Sequence, residues 1–320
     1  MDFDVNEDEA ALQEGIRSFC AGRFDMETVR GLADSAGVDR GLWRELADTG
    51  VFGLRLPEAD GGVGLGMTEA VLVFEELGRA LVPGPVLATH LASGLVDGAV
   101  TGERVIGLVE RPAHPILVEH LDALDALVVV DDEGLYLVDA GAVSGEPVGH
   151  PLDPLTPLHV VADLPAGEAI GGPEDADRWR LEGSVLAAAQ LLGIAGATVE
   201  LGTAYAKERE QFGMPIGTFQ AVKHILADML TRAEVARAAV YAAGVTIDDP
   251  SVGDPVRAAH GAKLIAGEAG IANGKACIQV HGGMGFTWEV DAHLYLKRAF
   301  VLDTVFGSGD VHAEAMAALV

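Results

Sequence analysis

The sequence predicts a mainly α-helical fold carrying a small β insert, and three observations point there. Apolar residues recur every three or four positions up to about Val100 and again from Trp179 onward. From Gly102 to about Asp177, short β-branched runs bounded by turn residues replace that rhythm. Strands and helices do not alternate along the chain, which excludes a doubly wound parallel sheet.

In the first zone Leu12, Ile16, Cys20 and Phe24 share helical spacing, as do Leu42, Leu46 and Val51. A glycine-rich turn from Pro57 to Gly66 follows. The next helix is predicted to start near Thr68, read as its N-cap, and to stop before Pro83-Gly84-Pro85. Strands are predicted over 104–110, 126–130, 135–138 and 158–161, with a turn at Asp131–Gly134. The four prolines between Pro147 and Pro157 mark an irregular connection. Long helices are then expected over 180–208, 216–246, 251–280 and 290–305, a four-helix bundle. In the second of them Phe219, Val222, Leu226, Met229, Ala233, Ala236 and Val240 form one apolar stripe. The expected domains are 1–101 (helical), 102–177 (a reduced β domain) and 178–320 (the four-helix bundle).

With 320 residues, 49% of them hydrophobic and 22% charged, the chain is apolar enough to fold around a core. Lys and Arg number 21 against 49 Asp and Glu, a formal charge of −28. Such a chain repels phosphate backbones and anionic bilayers, so neither nucleic acid nor membrane is an expected partner. An anionic cofactor would need a few placed cations. Two cysteines, Cys20 and Cys277, make no disulfide framework and fit a reducing compartment. The acidic start is unlike a signal peptide, and no run approaches the ~18 apolar residues of a membrane helix. A cytoplasmic location is expected.

Several motif readings fail on context. Gly62-x-Gly64-x-Gly66 follows no strand, which removes the dinucleotide-loop reading. His281-Gly282-Gly283 looks like an esterase oxyanion loop, but the chain has no Gly-x-Ser-x-Gly elbow. No histidine or cysteine pair has metal-ligand spacing, so no metal is expected. One constellation is informative. Glu208-Arg209-x-x-Phe212-Gly213-x-x-Ile216-Gly217-x-Phe219-Gln220 is followed by Gln279-x-x-Gly282-Gly283-x-Gly285-Phe286. Taken singly, Gly217-Thr218 reads as a helix start with its cap, and Gly282-Gly283 as a helix end.

Taken together, the two segments resemble the acyl-CoA dehydrogenase family. The first zone is also similar to that family through Leu42–Gly50, Leu56-Pro57-Glu58, Gly61-Gly62 and Glu75-Glu76-Leu77-Gly78. The resemblance implies a helix–β–helix fold, FAD, a coenzyme A thioester substrate, and dimers or dimers of dimers. It also implies that Arg209, Phe212, Gln220, Gln279, Gly282 and Gly283 hold the adenine-diphosphate end of an FAD seated mainly in the neighbouring subunit. The chemistry agrees. An Arg pairs with pyrophosphate through charge-assisted hydrogen bonds, and glycines let backbone amides approach closely.

Two departures from the family pattern stand out. The resemblance places the catalytic Glu, the base that takes the α proton, nine positions after Arg298, where this chain has Gly307. A minority of the family supplies the base near the position of Gly183. Glu182 is adjacent, about 100° around the helix. Asp310, three residues past Gly307, is the other nearby carboxylate and reads ordinarily as a surface charge. The middle zone also lacks the family's Thr-Glu-Pro, Gly-Ser-Asp and Trp-Ile-Thr-like stretches around the flavin ring; Leu108–His114 stands there instead. These losses resemble the shortened subunit of actinobacterial heterotetrameric (α2β2) steroid-type acyl-CoA dehydrogenases. The implied role is a subunit without its own catalytic residue, completing the FAD site of a full-length acyl-CoA dehydrogenase homologue. The implied substrate is a bulky, steroid-type acyl-CoA, and the implied acceptor is of the electron-transfer flavoprotein type. Two alternatives stay open: a self-sufficient homo-oligomer using Glu182 or Asp310, and a structural subunit without flavin.

Overall fold

The computed structural model describes residues 5–33, 37–111 and 114–319. The acidic start Met1–Asp4 and the pair Pro112-Ala113 lie outside them. The helices are α1 (Glu7–Arg23), α2 (Met26–Leu32), α3 (Arg40–Asp48), α4 (Met67–Arg79), α5 (Val86–Ala92), α6 (Pro173–Glu208), α7 (Gln220–Asp248), α8 (Pro255–His281), α9 (Ala292–Thr304) and α10 (Gly309–Ala318). The strands are β1 (Ile106–Glu110), β2 (Ile116–Glu119), β3 (Ala126–Asp131), β4 (Gly134–Asp139), β5 (Gly145–Pro147), β6 (Leu158–Val161), β7 (Glu168–Gly171), β8 (Glu210–Gln211) and β9 (Met214–Pro215). The mainly α fold with a small β part is as the periodicity predicts.

The chain compacts into two units, each drawn from separated stretches. The helical unit comprises Met1–Ala21, Val71–Leu81 and Ser184–Val320. Within it α4 and α6 cross at backbone distance. A Cβ on Gly78 would lie 2.1 Å from the Gln190 carbonyl oxygen, and one on Gly193 would lie 1.9 Å from that of Glu75. Only glycine permits that approach. Two buried carboxylates, Glu75 and Glu76, are held beside it. Arg17 donates to Glu76 at 2.9 and 3.0 Å, while Tyr241 (2.7 Å) and Arg237 (3.2 Å) donate to Glu75. Burial this deep requires such pairing. Further along the bundle Met229, Cys277, Ile278 and Ala292 form a core that joins α7, α8 and α9.

The second unit, Gly22–Ala70 with Val82–Gly183, carries the strands β1 to β7. Four strands run in the order β1-β3-β4-β7, with β1 parallel to β3 and the other pairs antiparallel. Three more run β2-β6-β5, all antiparallel. Strand β3 is buried from Ala126 to Val130, which explains its unbroken apolar run.

The structure differs from the sequence reading at several edges. Strands β2, β5 and β7 are additional; at three or four residues each they carry too little alternation to be read. Helix α4 begins at Met67, so Thr68 is not its N-cap; the Glu69 carboxylate accepts from the Gly66 N–H at 2.8 Å instead. Helix α6 starts at Pro173, with Glu174 and Asp175 in its first turn. The C-terminal region gains a fifth helix, α10. Helix α6 is also long and apolar enough to cross a membrane, with a window of mean hydropathy 1.6, contrary to the expectation from the sequence. That window is 83% buried inside the protein, the condition of a core helix.

Candidate functional site

Two places in the helical unit and one in the second unit bear on function. The first is the bundle end where α6 and α8 terminate and α7 begins. Tyr205 of α6 stacks on His281 of α8, ring centroids 4.2 Å apart, and His281 Nδ1 donates to the Cys277 carbonyl at 2.8 Å. This contact joins the two separated sequence segments. Past Glu208 the chain makes a hairpin: β8 pairs with β9, and Phe212-Gly213 form its tip. Phe212 has φ +55° and Gly213 φ +80°, the signature of a two-residue type I′ turn. A bulky residue there is strained, and Phe212 is 90% exposed, meeting Phe219 edge-on at 6.0 Å. The Ile216 N–H donates to the Arg209 carbonyl at 2.7 Å, fixing Arg209 at the base of the hairpin.

Opposite, Gly282 (φ +63°) ends α8, its N–H donating to the Gln279 carbonyl. A Cβ added at Gly282 or Gly283 would meet no atom within 4 Å, so this turn lies open. Gln220 and Gln279 are exposed, and Gln220 Nε2 donates to His224 Nε2 at 2.8 Å. Thr218 does not cap α7; its hydroxyl donates to Pro215 O at 2.7 Å. Phe286 (72%) and Trp288 (62%) are also exposed nearby in sequence, with Lys297 4.8 Å over the Trp288 ring. All six residues implied as cofactor-binding are thus placed, exposed, at these adjoining helix ends.

The second place is the loop Phe306–Gly309. Phe306 and Gly307 repeat the positive-φ pair, +55° and +100°, but Phe306 is only 6% exposed. The ammonium of Lys263, a fully buried side chain of α8, donates to the carbonyls of Asp303 (2.9 Å) and Gly307 (2.8 Å). His312 Nε2 donates to the Phe306 carbonyl at 3.0 Å, and His260 and His312 share a 2.7 Å contact between their Nδ1 atoms. Burial pushes His312 down to about 4, and the charge of Lys263 adds to that shift. A Cβ on Gly307 would lie 3.2 Å from Val311 Cγ1 and 3.3 Å from His312 Nε2. Asp310 is exposed, in the first turn of α10.

The third place is Glu182, buried near the start of α6. Arg55 donates to both its oxygens, at 2.7 and 2.8 Å, a bidentate pair. Beside it His90 is buried, with Nδ1 donating to the Val51 carbonyl at 2.8 Å; burial pushes its pKa down to about 4. Among the described residues no group of three or more His, Cys, Asp or Glu is arranged to hold a metal.

The acyl-CoA dehydrogenase N-terminal domain family matches residues 6–100, and the acyl-CoA dehydrogenase C-terminal domain family matches residues 181–320. The chain is 33% identical over 310 residues to acyl-CoA dehydrogenase IpdE2 of Mycolicibacterium smegmatis, covering 92% of this chain and 93% of the relative. The chain belongs to the acyl-CoA dehydrogenase family. Its members are oxidoreductases acting on CH–CH bonds, and FAD is the family's cofactor. Among solved structures it resembles the Tcur3481-Tcur3483 steroid ACAD G363A variant, with TM-score 0.84, 26% identity, and 99% and 98% of the two chains covered. The ChsE4-ChsE5 complex from Mycobacterium tuberculosis shares the fold, with TM-score 0.83, 23% identity and 99% and 98% coverage. The bundle end fits the adenine-diphosphate half of FAD: an exposed guanidinium, two carboxamides, a projecting ring and an open glycine turn.

Sequence reasoning missed Arg55, Lys263, His312 and the Tyr205–His281 stack. For Lys263 a signal existed, since it lies in the apolar stripe formed with Ala259, Ala262 and Ala266. Arg55 and Glu182 are 127 residues apart, and nothing local pairs them.

Proposed function

We propose that this chain is a subunit of an FAD-dependent acyl-CoA dehydrogenase that introduces a double bond into a bulky, steroid-type acyl-CoA, and that it has no catalytic base of its own. One observation carries the reading. The position expected to hold the base is Gly307, a left-handed turn closed by buried Lys263. The bundle end where the implied cofactor residues gather is, by contrast, open. FAD, when bound, supplies acceptance of a hydride from the β carbon of the thioester.

In this reading Arg209 neutralises a pyrophosphate oxygen, Gln220 and Gln279 donate hydrogen bonds, and Phe212 packs on the adenine. Gly282 and Gly283 present backbone to the phosphates. The ring and the base come from a full-length acyl-CoA dehydrogenase homologue in an α2β2 assembly. The complex named for the ChsE4-ChsE5 relative supports that arrangement. The word steroid in the name of the Tcur3481-Tcur3483 relative supports the acyl class. Electrons leave to an electron-transfer flavoprotein-type acceptor, in the cytoplasm. The division into 1–101, 102–177 and 178–320 fits family matches at 6–100 and 181–320.

Neither candidate carboxylate is disposed to serve as base. Both oxygens of Glu182 are engaged by Arg55, and Asp310 is a solvated helix-start charge. The test is purification of the chain alone and with a full-length homologue. FAD and turnover are expected in the complex alone, and Arg209→Ala is expected to cut the complex's FAD content at least about tenfold with folding intact. A lone chain that is yellow and turns over acyl-CoA would establish the self-sufficient alternative. A complex whose FAD content ignores Arg209→Ala would favour a structural subunit.

A further inference from the structure

We propose that Tyr205 and His281 are positioning residues for the cofactor end of the bundle: their stacked rings set the spacing between Arg209 and the Gly282-Gly283 turn, so that both meet one diphosphate. The inference rests on the reading that this end holds the adenine-diphosphate half of FAD, and deepens it. Each half of the end is folded tightly onto its own helix. On the α6 side the Arg209 N–H donates to the Tyr205 carbonyl at 2.8 Å. The chain leaving the hairpin returns to α6, where a Cβ on Gly217 would lie 2.9 Å from the Ala206 carbonyl oxygen. On the α8 side the Gly282 N–H donates to the Gln279 carbonyl, and a Cβ on Gly285 would lie 2.6 Å from the Ile278 carbonyl oxygen.

What joins the halves is the packing of α6 on α8, which runs outward in layers. Val199 and Leu201 of α6 pack on the core around Cys277 and Ile278, and a Cβ on Gly202 would lie 3.8 Å from Cys277 Sγ. One turn further out Tyr205 stacks on His281, centroids 4.2 Å apart and planes 26° from parallel. Just beyond this layer α6 ends at Glu208 and α8 at His281 itself. The imidazole is held in place: His281 is buried, and its Nδ1–H donates to the Cys277 carbonyl one turn back at 2.8 Å, which pins the ring against Tyr205. Stacked rings keep a preferred separation. Tyr205 bonds directly to the backbone of Arg209, and His281 directly precedes Gly282, so a change at the stack moves one half of the end against the other. Two half-sites hold one ligand together only when their spacing matches it.

The test is FAD titration of the complex of this chain with its full-length homologue, stripped of flavin and followed by flavin fluorescence. His281→Leu is expected to weaken FAD binding about tenfold, and Tyr205→Leu to do the same from the other helix. His281→Phe, which keeps a flat ring on Tyr205, should stay within about threefold of the parent. Combined with Arg209→Ala, His281→Leu should cost less than about twofold more, because the spacing then has no guanidinium to serve. A merely structural loss would instead multiply in full. Parent affinity in both Leu variants, a His281→Phe as weak as His281→Leu, or full multiplication with Arg209→Ala would each overturn the proposal, while a loss in Arg209→Ala alone still upholds the cofactor reading. An Arg209→Ala complex that binds FAD as the parent does would overturn both.

Discussion

The helical unit contains two Phe-Gly pairs with positive φ. At Phe212-Gly213 and at Phe306-Gly307 a phenylalanine with φ +55° precedes a glycine with φ +80° or +100°. The turns differ, Phe306 lying third in a type II turn closed by the Gly307 N–H on the Thr304 carbonyl, and the surroundings are opposite. Phe306 is buried, and Lys263 and His312 take up the carbonyls of its loop. Phe212 stands in solvent, and a Cβ at Gly213 would meet no described residue beyond its own chain neighbours within 4 Å. A left-handed non-glycine residue costs about 1–2 kcal/mol, a cost that packing offsets at Phe306, whereas Phe212 has an edge-on contact with Phe219 and otherwise stands 90% exposed. The exposed Phe212 ring belongs to the bundle end for which a partner's cofactor is proposed.

The largest expected effect separates the two turns directly. Phe306→Asn should lower stability by about 3 kcal/mol or more in thermal unfolding, since it removes a buried ring. A loss below about 1 kcal/mol would mean that the loop is not packed as described.

Next comes pH. In an unfolded chain His312 titrates near 6.5, while burial holds it at about 4 in the folded protein. Between those values the unfolded state binds a proton that the native state refuses. Stability is therefore complete above pH 6.5 and falls as the pH drops towards 4, by roughly 2 kcal/mol. His90 of the second unit shares this window, so melting curves of His312→Gln against the parent isolate the loop's share.

A smaller cost, about 1–2 kcal/mol, is expected for Gly307→Glu, which places a side chain at φ +100° beside Val311 and His312. Turnover by the lone chain should stay at background, because the loop cannot aim the new carboxylate without shifting.

Phe212→Asn should do the reverse of Phe306→Asn. Asn-Gly suits a type I′ turn, so the melting temperature should rise, by the equivalent of about 0.5–1 kcal/mol. The FAD content of the assembled complex should fall. Unchanged FAD content would remove Phe212 from the cofactor contact.

Much of this was legible beforehand. The stripe from Phe219 to Val240 reads as a bundle helix, and Met229, Ala233, Ala236 and Val240 are indeed buried. The motif segments around Arg209 and Gln279 were readable because each is local and rich in residues with special backbone demands. The hairpin tip at Phe212-Gly213 was not, because the usual Asn-Gly or Asp-Gly signal is absent. Nor were β2, β5 and β7, which owe their pairing to neighbours rather than to alternation.

By itself the sequence determined the helical periodicity, the short β insert, the family and the absence of a carboxylate at position 307. Those follow from side-chain spacing and residue identity, which act over a few positions. Tertiary structure alone decided that Glu182 is clamped by a guanidinium 127 residues distant, that Lys263 seals one loop, and that Tyr205 stacking on His281 joins two helix ends. The physical reason is that a charge or a ring is satisfied by whatever the fold brings within a few ångströms, and distance along the chain carries no record of that.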